Sequence, residues 1–216
     1  MVGSSPPAPP RKNKESGPRT PRLRLAVLPL TPERWPDFEA LFGPRGAYGG
    51  CWCMFFRLPR KEYSAGCADQ GAANKRAMRA LVRRGATPGL LAYDGDTPVG
   101  WCALAPREEY AGLARSRIAK PIDDRPVWSV TCFFVARTHR RRGVTVALLD
   151  AAAKHAAAQG GRILEGYPTL GSTGAWADVT AFHGTVAAFA KASFAEVARP
   201  SKTRAVMRRT VRPTRS

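Results

Sequence analysis

The chain has 216 residues, is 44% hydrophobic and carries a formal net charge of +19. The apolar content is enough for one packed core, and so large a positive excess favours an anionic partner: nucleic acid, a membrane surface or a phosphorylated cofactor. No stretch approaches the roughly 18 apolar residues of a membrane span, and "MVGSSPPAPPRKNKESGPRTP" lacks the apolar run of a secretory leader.

Residues 1–21 are rich in Pro, Ser, Gly and Lys/Arg and too poor in apolar groups to offset the entropy of ordering, so they read as a disordered basic tail. "LRLAVLPLT" alternates and predicts a strand; "TPERWPDFEALFG" predicts a helix with Thr31 as N-cap, Pro32 in the first turn and Gly43 as the stop. The stretch 44–67 mixes Gly, Pro and aromatics without a period, after which "DQGAANKRAMRALVRRG" is helical and closes at Gly85. Two strands flank the turn Asp94-Gly95-Asp96, "PREEYAGLARSR" is a helical turn or loop, and "VWSVTCFFVA" has the composition of a buried central strand.

From Val144 the apolar positions Leu148, Leu149, Ala152 and Ala156 recur at helical spacing, Asp150 and Lys154 form an i,i+4 pair, and Gly160-Gly161 ends the helix. "RILEGYP" is a strand, "TVAAFAKASF" a short helix and "AEVARPSKTRAVMRRTV" a closing strand or hairpin. The order predicts an α/β fold with a mixed sheet and helices on its faces, a single domain over 22–211 followed by a basic tail at 212–216. Most of the charge excess lies at the ends: residues 1–24 carry six Lys/Arg against one Glu, and residues 200–216 six against none. Such ends suit either solvation or a grip on RNA or tRNA.

The junction "RTHRRRGVTVALLDAAAKH" runs from a basic turn through a glycine into a helix. Free amides at the positive end of a helix dipole make an anion site, and neighbouring arginines add charge-assisted hydrogen bonds. A nucleic-acid patch built on Arg137 and Arg140–Arg142 is the rival reading. Neither a P-loop nor a G-x-G-x-x-G dinucleotide motif occurs.

Arg140-Arg141-Arg142-Gly143-Val144-Thr145 resembles the R/Q-x-x-G-x-G/A signature of the GNAT N-acetyltransferases, with Thr145 in place of the small residue. "FAKASFAEVAR" resembles that family's Y-x-x-x-G-F segment, with Phe189 at the tyrosine and Ser193 at the glycine. The resemblance covers about residues 22–211 and implies a GNAT-like acyl-CoA N-acyltransferase fold. It also implies acetyl-CoA as acyl donor, the backbone of Phe133, Phe134 and Val135 along the pantetheine arm, amides from Arg141 to Thr145 on the diphosphate, and Phe189 beside the cofactor. The family's usual strand carboxylate falls on Ser129, which cannot act as a base.

Acetyl transfer to an amine needs a proton acceptor and a donor to the developing oxyanion. Glu165, an acid in an apolar strand, is the candidate base; Tyr167, on the same strand face, is the candidate acid; His183 is the other titrating group at hand. Trp52, Phe55, Phe56 and Trp101 are candidate walls for the acceptor, with Asp123 and Asp124 as anchors for an ammonium group. Five cysteines, Cys51, Cys53, Cys67, Cys102 and Cys132, read as reduced thiols of a cytoplasmic protein, and Cys51-x-Cys53 without a second pair is no metal site. The leading expectation is a metal-free N-acetyltransferase, a monomer or homodimer, acting on a small molecule, an amino acid or a protein amine. The alternative is a noncatalytic GNAT-fold module that binds acetyl-CoA or RNA.

Overall fold

The computed structural model describes residues 23–116, 118–170 and 181–212. The tails expected at 1–21 and 212–216 lie outside these residues, except for position 212.

Seven strands form one sheet: β1 (Leu25–Pro29), β2 (Gly89–Asp94), β3 (Thr97–Pro106), β4 (Trp128–Val135), β5 (Ile163–Gly166), β6 (Ala195–Ser201) and β7 (Arg204–Thr210). Their spatial order is β1-β2-β3-β4-β5-β7-β6, and every neighbouring pair is antiparallel except β4 with β5. The expected hairpin turns at Gly95, whose φ of 59° is left-handed, and the closing segment is a hairpin rather than a single strand.

The period-two pleat sorts the central strands into two cores. On one face Leu90, Ala92, Cys102 and Leu104 meet the helix α5 (Val144–Ala158) through Leu148, Leu149, Ala152 and Ala156. On the other, Leu91, Trp101 and Ala103 meet Phe38 and Phe42 of α1 (Trp35–Phe42) and Met78 and Val82 of α3 (Ala72–Arg83). Between these two helices the aperiodic stretch holds a short helix, α2 (Arg60–Gly66), and a further turn, α4 (Ala111–Ala114), follows β3. The last helix, α6 (Val186–Lys191), is capped by Thr185, whose hydroxyl accepts from the Ala188 amide at 3.2 Å. Asp150 does not pair with Lys154 as helical spacing suggests. It reaches Arg209 of β7 at 2.7 Å, whose guanidinium also donates to the Ala192 carbonyl at 2.9 Å and is thereby held in place for the pair.

Two irregularities shape the centre of the sheet. The β3/β4 register slips between Ala103 and Leu104, whose partners are Cys132 and Val130, so Thr131 is the extra residue of a bulge that re-aims the strand. Strands β4 and β5 pair only from Trp128–Leu164 to Val130–Gly166, and beyond that they diverge into a fork. Phe189 fills the base of the fork: a Cβ on Gly166 would lie 2.2 Å from its ring, so only glycine fits there.

Candidate functional site

The fork leads to the basic junction. From Phe133 to Val135 the β4 edge that faces β5 has no strand partner among the described residues; the Val135 carbonyl accepts from Arg140 Nε at 3.3 Å, and the other backbone groups on that edge are open to a ligand amide. The chain then turns through Arg137–His139 and reaches α5 with Arg141 at φ 62° and Gly143 at φ 87°. The backbone amides of Arg141, Arg142, Gly143, Val144 and Thr145 donate to no acceptor among the described residues. Beyond its own chain neighbours, no described atom lies within 4 Å of where a Gly143 side chain would start. Five free amides at the N-terminus of a 15-residue helix, with space before them, fit a diphosphate.

Gly143 is therefore constrained twice, by its left-handed backbone and by the space it leaves. Gly143→Val is expected to weaken CoA binding at least roughly tenfold, measured by calorimetry, and to lower stability by about 1–2 kcal/mol. Unchanged affinity would place the diphosphate elsewhere.

On the opposite side of the fork a cleft of about 440 Å³ opens between the 55–63 segment, the α4 region and the end of β5. Phe55, Phe56, Tyr63 and Phe182 supply aromatic walls; Arg60, Arg115 and Arg204 supply charge; Tyr167 and His183 line its inner end. His183 belongs to the turn that enters the fork, where the next residue, Gly184, accepts from both the amide and the hydroxyl of Thr169, each at 3.1 Å. The His183 Nδ1 is buried without a partner among the described residues. Burial, reinforced by the charge of Arg204, pushes the imidazole pKa down to about 3, so the ring is neutral near pH 7.

Beneath the cleft lies a buried charge network. Glu165 has no exposed surface. Its Oε1 accepts from Arg107 Nη1 at 3.0 Å and from the Tyr167 hydroxyl at 2.7 Å, and its Oε2 accepts from Arg208 Nε at 2.7 Å. Tyr167 also receives a bond from Arg107 at 2.7 Å and lies 3.0 Å from the Ser129 hydroxyl. Burial, then the neighbouring carboxylate, drives the Tyr167 pKa far upward, so the phenol keeps its proton. Arg107 also donates to the carbonyl of Ala119, and Arg208 holds Asp123 at 2.7 Å, which ties the 118–125 loop to the sheet.

The sequence-predicted residues thus separate into groups. His183, Tyr167, Phe55 and Phe56 share the cleft, with Glu165 directly behind it. Arg140–Thr145 and Phe133–Val135 share the fork. Trp52 and Trp101 do not reach the cleft: both are buried in the α1 side core, where the Phe42 ring stacks on Trp52 and meets Trp101 edge-on. Left-handed backbone at Trp52 and Cys53 turns that ring inward. Asp124 is exposed on its loop and does not line the cleft, and Asp123 is taken by Arg208 and Arg125. Phe189 is wholly buried against Phe133 and Phe194. All five cysteines are free, and Trp101 donates to the Cys53 sulfur at 3.1 Å. Among the described residues no three His, Cys, Asp or Glu side chains cluster as metal ligands, and no helix is long and apolar enough to cross a membrane. Sequence reasoning missed Arg107, Arg208 and Arg204. A buried Glu165 signals that cations must sit nearby, but among 35 Lys and Arg nothing in the sequence says which.

Residues 52–177 match the family model of the acetyltransferase (GNAT) family. A GNAT-family acetyltransferase from Streptococcus agalactiae superposes with a TM-score of 0.50 at 9% identity, covering 87% of this chain and 96% of that one. One from Desulfovibrio desulfuricans gives 0.48 at 15% identity, over 86% and 98% of the two chains. The PaiA N-acetyltransferase of Thermoplasma acidophilum, solved in complex with coenzyme A, gives 0.46 at 11% identity, over 87% and 99%. At these identities the likeness is one of fold. A search of curated proteins finds no match.

Proposed function

Since the chain belongs to the GNAT acetyltransferase family, we propose that it transfers an acetyl group from acetyl-CoA to a primary amine by direct attack within a ternary complex, with residues 22–211 acting as one catalytic domain. The observation that carries this reading is the continuity of the fork: free amides at Arg141–Thr145, a β4 edge from Phe133 to Val135 without a strand partner among the described residues, and then the bulge at Thr131. The amides and arginines of the junction hold the diphosphate, and the β4 edge holds the pantetheine arm. The thioester is delivered to the inner end of the cleft.

In the transfer the amine nitrogen bonds to the carbonyl carbon, the carbon–sulfur bond breaks, and the proton lost by nitrogen ends on the thiolate or in solvent. A neutral amine becomes acidic as it bonds to the carbonyl, and a proton acceptor beside it then helps. Of the three groups expected to titrate, His183 is the one suited to accept that proton, because its ring lines the cleft and is neutral near pH 7. Glu165 has both oxygens engaged by cations, and Tyr167 commits its proton to Glu165. We assign these two a positioning role, holding the floor on which His183 and the acceptor rest.

One observation favours the noncatalytic alternative: Phe189, at the position where the family carries a tyrosine, is sealed in the core and offers no proton to a leaving thiolate. Thiol release from acetyl-CoA against a panel of amines separates the readings. The enzyme releases free CoA only with some acceptors, and acetylated product of the matching mass appears. CoA binding without release for any amine would leave only the binding module.

A further inference from the structure

The acceptor cleft contains no Asp or Glu among its described lining residues, yet three arginines line it. A cleft meant for a polyamine or a lysine-rich peptide needs acids to hold the spare ammonium groups, and here the charge has the opposite sign. Arg204 is the telling member. It stands at the start of β7, half-buried, and its one hydrogen bond among the described residues runs from Nη1 to the Tyr167 carbonyl at 3.4 Å. It forms no ion pair with any described carboxylate, although Arg57, Arg107, Arg208 and Arg209 each have at least one. A partly desolvated guanidinium without a counter-ion is costly unless a ligand supplies the anion.

We propose, resting on the acetyl-transfer reading above, that the acceptor is an amino acid with an aromatic or large apolar side chain, whose carboxylate is bound by Arg204 with Arg60 and Arg115 at the rim and whose side chain lies against Phe55, Phe56 and Tyr63. Guanidinium and carboxylate pair through two parallel hydrogen bonds, which fixes the amine as well as the charge. The aromatic walls bury an apolar side chain, and Phe55, 48% exposed, is free to cover it. The ring of His183 lines the same cleft as Arg204. The charge of Arg204 opposes protonation of that imidazole. Burial is the larger cause and remains, but a carboxylate on Arg204 offsets the share due to that charge, so the substrate that fits the cleft also makes His183 a better proton acceptor.

The test compares L-phenylalanine, L-leucine and L-tryptophan with their amides and with the decarboxylated amines, in the full-length protein. Acetyl transfer is read by thiol release, and binding to the CoA complex by calorimetry. The carboxylates should exceed their amides by roughly 10- to 100-fold in kcat/KM or in affinity, the range for one charge-assisted pair. Arg204→Gln should collapse that difference while CoA still binds, which shows the variant is folded. Equal or better use of the amides would overturn the proposal and leave the enzyme reading standing. Should no amine be acetylated, calorimetry still decides whether the carboxylate is preferred, and the enzyme reading alone falls.

Discussion

A Glu165→Gln protein is expected to lose roughly 3 kcal/mol of stability, and its folded fraction is expected to keep kcat within about tenfold of the parent. The carboxylate sits between Arg107 and Arg208, whose side chains are only 14% and 8% exposed, so removing its charge leaves two cations without the anion that justified their burial. Asp123 still compensates Arg208 in part. The new amide must also present an NH₂ to one of three groups that now donate, Arg107, Tyr167 or Arg208, and a buried donor facing a donor adds to the loss. Denaturant unfolding checks this: the midpoint should fall with the slope unchanged. A general base would show the reverse pattern, a fall of roughly 10² or more in kcat at nearly constant stability. That outcome would return Glu165 to the proton path.

The contrast shows where sequence reading succeeds and where it stops. Strands, helices and the basic junction depend on local periodicity and turn chemistry, and they appear where the pattern of apolar residues, Gly95, Gly143 and Gly160 puts them. Glu165 is recognisable as an unusual acid in an apolar strand, but its meaning depends on arginines 58 residues before it and 43 after it, placed there by sheet order alone. Trp52 and Trp101 illustrate the converse. An aromatic residue near Gly and Pro suits a pocket wall or a core equally well, and two residues with positive φ decide for the core. The sign of the acceptor cleft is hidden from the sequence for the same reason. Asp123 and Asp124 are conspicuous in sequence, whereas Arg204 is one of six cations between 200 and 216, and only the pairing of β7 places it beside Tyr167.

His183→Gln is expected to lower kcat by roughly 10²-fold and to leave CoA affinity within about twofold, since glutamine keeps a polar side chain of similar reach but no basic nitrogen. The pH profile discriminates the role further. In the folded protein the imidazole protonates only near pH 3, so kcat/KM, which reports groups of the free enzyme, should show no limb near the ordinary imidazole value of about 6.5 and should follow the acceptor amine instead. A limb at that value would mean that the ring titrates as if solvated, and would overturn its assignment as a neutral base in a dry cleft. The same depression links stability to pH. The unfolded chain's imidazole takes up a proton as pH falls below about 6.5 while the folded one does not, so acid favours unfolding from there down to about 3. The contribution is intact above the unfolded value and is lost progressively below it. His183→Gln removes that component, and the variant should therefore lose less stability than the parent between about pH 7 and pH 4. Identical acid sensitivity would show that the parent's imidazole is not held neutral by burial, whatever its effect on kcat.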